Sequence, residues 1–176
     1  DFAWALDLDQ SPKIAPPFYT NLTPTSLFYT RSESEFEFIN VYYHLNTYHQ
    51  HITSLGSPLM NYPQKFDAHA KNGADQSSFN PGNNDPNLLF GDGGVDDGED
   101  ADVIVHEYGH AILYDAAPNS NIGAQRNALD EGTSDYIAMS YSKSINEYGY
   151  QDIFNWDGHN EYWNGRELVS NRTYPS

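Results

Sequence analysis

The chain has 176 residues, 25 acidic against 8 basic, for a formal net charge of −17, and it contains no cysteine. A polyanion of this kind is a poor partner for nucleic acid or an anionic membrane surface, and without cysteine any metal must be held by histidine and carboxylate. Aromatic residues reach 15%, with 14 tyrosines, which excludes a disordered acidic tail and leaves a globular chain long enough for a core.

Asp1-Phe2-Ala3-Trp4 does not open as a signal peptide, and no apolar run approaches membrane-spanning length, so membrane insertion is not expected. The start reads as though a leader or pro-segment had been removed. Pro12, Pro16, Pro17 and Pro24 predict irregular structure, with a short strand near Leu27-Phe28-Tyr29-Thr30. A helix follows. Ser34 with Glu37 three residues on fits a capping box. Phe38, Val41, Tyr42, Leu45, Tyr48, Ile52 and Leu55 recur at the spacing of one buried face, and Gly56 and Pro58 end it. His44, His49 and His51 lie on this helix. No acidic or cysteine partner stands beside them at ligand spacing, so they are expected to be surface or hydrogen-bonded histidines.

From Met60 to Phe90 the pattern becomes short strands broken by turns. Lys65 to Ala70 alternates weakly, and Leu88-Leu89-Phe90 reads as a buried strand. Gln76, Ser77, Ser78 and Phe79 suit an edge strand, whose free N–H and C=O groups could pair with an extended peptide. Gly91 to Asp100 is an acidic glycine loop without the spacing or closing glutamate of an EF-hand. It leads into a helix, where Asp97 or Asp100 can cap the free N–H groups. Asp102 and its neighbours are the candidate for bound calcium.

The helix expected over 101–116 carries His106-Glu107-Tyr108-Gly109-His110 in an apolar run. Residues four apart share a helix face, so His106 and His110 can offer two imidazoles to one ion. Glu107 is then placed to reach a water on that ion. A second helix is expected over 127–144. On it Glu131 and Asp135 are four apart, and Gly132 is expected to let a neighbouring helix approach closely. Beyond Ile145 the chain is aromatic and turn-rich, with Tyr162 and Trp163 expected to pack inside.

Two histidines and one carboxylate leave a fourth tetrahedral position open, the pattern of a catalytic rather than a structural zinc. Glu107 would act as general base and pass the proton to the leaving amine. Asp135 is placed to bond the far nitrogen of one histidine, His106 by preference. A metzincin needs Gly three and His six residues after the second histidine. Those positions hold Leu113 and Ala116, which leaves Glu131 as the natural third ligand.

His106-Glu107-Tyr108-Gly109-His110 followed by Asp130-Glu131-Gly132-Thr133-Ser134-Asp135-Tyr136 resembles the gluzincin metallopeptidases, most closely the thermolysin and fungalysin families. The likeness runs over about 35–142 and is densest around the metal motif. It implies an α+β fold: an amino-terminal lobe over 1–126 with an edge strand, a long helix and the active-site helix, then the start of a helical second lobe over 127–176. It implies zinc on His106, His110 and Glu131, Glu107 as base and Asp135 behind His106. It also implies substrate backbone held along Gln76 to Phe79, a calcium-ligating position at Asp102, and secretion. Those families supply an oxyanion-stabilising histidine from a further helical domain. Here only His159 follows the motif, in a turn-like setting, so the remainder of a carboxy-terminal lobe is an expected partner.

The leading expectation is a zinc endopeptidase acting on peptides or proteins. The alternative from another class is an acidic, calcium-stabilised cell-surface binding module with a structural or degenerate zinc site. A zinc aminopeptidase would share Asp130-Glu131-Gly132 but needs an element that binds a substrate amino terminus, and none is evident.

Overall fold

Helix α1 (Glu35–Ser54) buries Phe38, Val41, Leu45, Tyr48 and Ile52, the expected face, in a computed structural model that describes residues 2–8, 27–82, 85–159 and 165–169. Its start differs from the expectation. Ser34 is already helical and makes no side-chain cap bond. The turn is closed instead by Glu33, whose Oε2 accepts the backbone N–H and the hydroxyl of Thr30, both at 2.8 Å. Glu37 cannot reach back as a capping partner because it lies on the buried face, 2% exposed, with its Oε2 3.4 Å from His69 Nε2. The end follows the sequence: Gly56 takes a positive φ of 81° just past the last turn.

Four strands form a sheet in the order β1–β2–β4–β3. β1 (Ala3–Ala5) runs parallel to β2 (Gln64–Ala70), which runs parallel to β4 (Asn87–Gly91). β3 (Ser78–Asn80) is antiparallel to β4 and forms the edge. The weak alternation of β2 now has a cause. Phe66, Asp67, Ala68, His69 and Ala70 are all buried, so both faces are covered, as in parallel sheets generally. The strand expected near Leu27 to Thr30 does not form, and β1 takes that place in the sheet. Three residues are too few for a period-two signal. The prolines at 12, 16, 17 and 24, and Tyr162 and Trp163, lie outside the described residues.

Helix α2 (Ala101–Ala116) is the central element, in contact with α1, α3, β3 and β4. Every residue from Asp102 to Gly109 is buried, so no polar face remains. Asp100 caps it, its Oδ1 accepting the Asp102 N–H at 2.8 Å. Helix α3 (Ala124–Ile145) packs along α2, and the lobe boundary expected between 126 and 127 falls inside its first turn. A short ladder pairs β5 (Asp152–Ile153) with β6 (Arg166–Glu167) in antiparallel sense. The result is a mixed fold of helices and sheet, in keeping with the α+β expectation at that level. No described helix is long and apolar enough to cross a membrane.

The histidines of α1 are internal ties. His44 Nδ1 lies 2.8 Å from the Tyr141 hydroxyl, and His49 Nδ1 lies 3.0 Å from the Tyr108 hydroxyl. Burial pushes His44 down to about 4, which keeps it neutral. His51 is exposed.

The close helix approach expected at Gly132 occurs at Gly109. A Cβ on Gly132 would meet nothing within 4 Å, whereas one on Gly109 would lie 2.9 Å from Ser134 Oγ and 3.0 Å from Ser134 Cα. Gly132→Ala should therefore stabilise the fold by about 0.5–1 kcal/mol through helix propensity alone. Gly109→Ala should cost about 1–3 kcal/mol by overpacking. Urea unfolding midpoints of the two variants check this; equal shifts would mean the α2–α3 contact is looser than described.

Candidate metal centre

His106 and His110 project from adjacent turns of α2 toward α3, with their Nε2 atoms 3.1 Å apart. From α3, Glu131 brings one oxygen to 3.4 Å from His106 Nε2 and the other to 3.7 Å from His110 Nε2. With ligand bonds of about 2.0–2.1 Å, a tetrahedral zinc separates neighbouring donor atoms by about 3.3 Å. The three separations bracket that value, and two imidazoles with one carboxylate are a donor set zinc accepts. His106, Glu107 and His110 also each offer an atom, all within 4.8 Å of one another. These residues fit a zinc ion.

Each imidazole is fixed from behind by a carboxylate. Asp135 Oδ1 stands 2.9 Å from His106 Nδ1, within ion-pair distance but without the geometry of the expected hydrogen bond. Asp130 Oδ2 stands 2.7 Å from His110 Nδ1, with Ser134 Oγ at 3.2 Å from the same nitrogen. Such partners set the tautomer that leaves Nε2 free to ligate. The role of Asp130 was not read from the sequence, although it is the residue before Glu131 and faces α2 for the same helical reason. Asn121 Nδ2 donates to Asp130 Oδ2 at 3.0 Å, and Arg126 lies within 3.5 Å of its other oxygen.

Asp135 is held in turn by Arg166, whose Nη1 donates to both carboxylate oxygens at 2.6 and 2.7 Å. Burial pushes Asp135 upward, and bonds with His106 and Arg166 outweigh it, leaving it below the usual carboxylate range. Arg166 is delivered by the β5–β6 ladder, opposite Ile153. Nothing in its turn-rich sequence setting marked it. Phe154 sits edge-on to the His106 ring, centroids 5.2 Å apart, and the Arg166 guanidinium lies 5.1 Å from the Phe154 centroid.

In the metal-free protein the burial of His106 works against its charged form. Hydrogen bonds with Asp135 and Glu131 and the charge of Glu107 outweigh that and lift it to about 9. Hydrogen bonding to His106 holds Glu131 below the usual range, although its side chain is 57% exposed. Burial pushes Glu107 upward, against the pull of the two histidines. The backbone N–H of Phe79 on β3 also favours its charged form. Its Oε2 is buried without a hydrogen-bond partner.

The centre opens into a cleft of about 780 Å³ lined by Gln76, Ser77, Ser78 and Phe79; the edge strand begins only at Ser78, so Gln76 and Ser77, expected within it, precede it. Ser78 Oγ accepts from Lys71 Nζ at 2.5 Å, and Ser77 Oγ donates to Asp97 Oδ2. Asp102 ties elements together. Its Oδ1 accepts from Ser142 Oγ and its Oδ2 from the Phe154 N–H at 3.2 Å, so it joins α2 to α3 and holds Phe154 against His106. It belongs to none of the three carboxylate or histidine clusters found among the described residues. His159 lies in a 3₁₀ turn spanning Asp157–His159.

No protein-family model matches this sequence, and no curated protein matches it. The residues therefore carry the functional argument.

Asp97 supplies a test of the cleft's electrostatics. Burial pushes its carboxyl up to about 8, helped by the charges of Asp157 and Asp75 and opposed by the Ser77 bond. The unfolded chain releases that proton near 3.8. Folding is thus unpenalised by Asp97 below about pH 4, and stability falls as pH rises toward 8. Asp97→Asn should flatten this slope and gain on the wild type between pH 5 and pH 8, while Asp96 and Asp102, also lifted by burial, keep part of it. Urea midpoints at both values measure it; parallel profiles would contradict the assignment.

Proposed function

We propose that this protein is a zinc-dependent endopeptidase of the gluzincin type, secreted, with a thermolysin- or fungalysin-like arrangement of its amino-terminal lobe and the start of a helical second lobe. One observation carries the reading. His106, His110 and Glu131 converge at zinc-ligand separations, while the neighbouring Glu107 keeps an oxygen without a partner at the wall of a cleft. A structural zinc site would have no use for such an oxygen.

When bound, zinc supplies Lewis acidity that polarises a substrate carbonyl and acidifies water. Glu107 Oε2 takes the proton from the attacking water and hands it to the departing amine nitrogen. The Phe79 N–H on the edge strand favours the ionised carboxylate that a base needs. Asp130 holds the Nδ1 side of His110 by a hydrogen bond and Asp135 stands at ion-pair distance behind His106, which would leave both Nε2 atoms for an ion. The peptide lies in extended form along the cleft-lining segment Gln76 to Phe79, whose last two residues belong to β3. Calcium is a further cofactor in this reading, with Asp102, whose oxygens also accept from Ser142 and Phe154, as its candidate ligand.

Elemental analysis should give about one zinc per chain, lost in His110→Ala and kept in Glu107→Gln. Peptide hydrolysis should fall at least about a hundredfold in Glu107→Gln, the usual worth of a positioned base. Normal turnover by that variant would remove Glu107 from the mechanism, and wild-type protein without zinc would remove the reading altogether. Asp135→Asn should weaken zinc binding about 10- to 100-fold, read by competition with a chelator dye. Unchanged affinity would reduce Asp135 to a surface partner of Arg166.

A further inference from the structure

We propose that Arg126, with Ser120 and Asn121 beside it, receives a substrate carboxylate in the cleft and so selects peptides that carry one near the cleaved bond. This rests on the hydrolase reading and gives it a substrate preference. All three residues line the same cleft as His106, Glu107 and His110. Arg126 stands on α3 one turn before Asp130, and Asp130 is the residue behind His110.

The guanidinium is placed by its neighbours but not saturated by them. It carries five N–H donors in a planar fork. Two of its nitrogens reach protein oxygens, both at the limit of bonding: Nη1 lies 3.5 Å from Asp130 Oδ1, and Nη2 lies 3.4 Å from Ser120 Oγ. A well-made N–H···O bond is nearer about 2.9–3.0 Å. The other described arginines are held more tightly, Arg31 by Glu99 at 2.9 Å and Arg166 by Asp135 at 2.6 Å. Asp130 is drawn the other way, since its Oδ2 meets His110 at 2.7 Å and Asn121 at 3.0 Å. The Arg126 side chain is 23% exposed, so its charge is partly withdrawn from water, which strengthens its pull on an anion. The fork matches the two oxygens of a carboxylate.

Position and charge make Arg126 the residue that discriminates. One carboxylate and one imidazole separate it from the metal site, a gap that two or three extended residues of about 3.4 Å each can span. Asp75, Asp97 and Asp157 also line the cleft, and the chain as a whole carries a charge of −17. An acidic peptide therefore gains nothing from the general field, and a preference for one has to come from a local cation. Arg166, the other arginine among the described lining residues, already donates to both oxygens of Asp135. The carboxylate that Arg126 takes can belong to an aspartate or glutamate side chain or to the peptide's own carboxy terminus.

The test uses the full chain in zinc-containing buffer, with Glu107→Gln to prevent turnover. Fluorescent peptides with blocked ends carry one glutamate, moved a position at a time, and are compared with an all-glutamine counterpart. A further all-glutamine peptide keeps a free carboxy terminus. Anisotropy titrations should show at least one carboxylate-bearing peptide binding at least roughly tenfold tighter than its neutral counterpart. A gain with glutamate assigns the site to a side chain, and a gain confined to the free terminus assigns it to the chain end. The preference should vanish when Arg126→Gln or Arg126→Met is added, two neutral replacements that pack differently, and Arg126→Glu should reverse it in favour of lysine. Melting curves and zinc content show which variants are folded and loaded. No preference for any carboxylate, or a preference that survives in a folded neutral variant, would overturn the proposal. So would an equal loss for glutamate and glutamine peptides, since Arg126 would then serve only to hold Asp130. If wild-type protein cleaves no peptide, the hydrolase reading fails, while the binding comparison still decides the role of Arg126.

Discussion

The contact of α2 with α3 at Gly109 and Ser134 governs the centre. Gly109 has no side chain, so α3 lies close enough for Ser134 to rest against the α2 backbone between the two histidines. That approach brings Glu131 one way and Asp135 the other within bonding range of His106. It also sets Asp130 behind His110. A larger residue at 109 would move all three carboxylates together, because they share one helix.

Around this pair the polar residues form a layered charge arrangement. Two imidazoles are each backed by a carboxylate, and each carboxylate is backed by an arginine. Buried charge is tolerated where it is paired and hydrogen-bonded, and here the pairing continues outward until it reaches half-exposed guanidinium groups. The acidic loop before α2 has a related logic. Asp100 caps the helix and anchors the Trp156 and Asp157 backbone, so the chain beyond α3 is fastened to the start of the metal-motif helix. Asp102 does the same for Phe154. Both carboxylates of this stretch accept backbone N–H groups, and Asp102 a hydroxyl as well.

Much of the helical architecture was legible in the residues. The buried face of α1, the span of α2, the existence of α3 and the edge position of β3 all follow from local periodicity and turn residues. The reading failed where local pattern was ambiguous or overridden. Ser34 and Glu37 have the spacing of a capping box, but tertiary burial turned Glu37 toward His69. Gly132 lies beside Glu131 yet faces open space, while Gly109, inside the motif itself, makes the close contact. β1 was missed because three residues give no alternation, and its partner β2 is covered on both faces.

By itself, the sequence determined the spacing of His106, Glu107 and His110, because a helix fixes which side chains share a face within five residues. It also fixed that Glu131 and Asp135 point the same way. Only the tertiary structure decided that these two faces meet, since that depends on how closely one helix backbone can approach another. Arg166, Phe154 and the cleft-lining Asp75, Asp97 and Asp157 lay beyond any sequence pattern for the same reason. They come from segments distant along the chain, and only the folded packing of loop, edge strand and terminal ladder brings their side chains to one cleft.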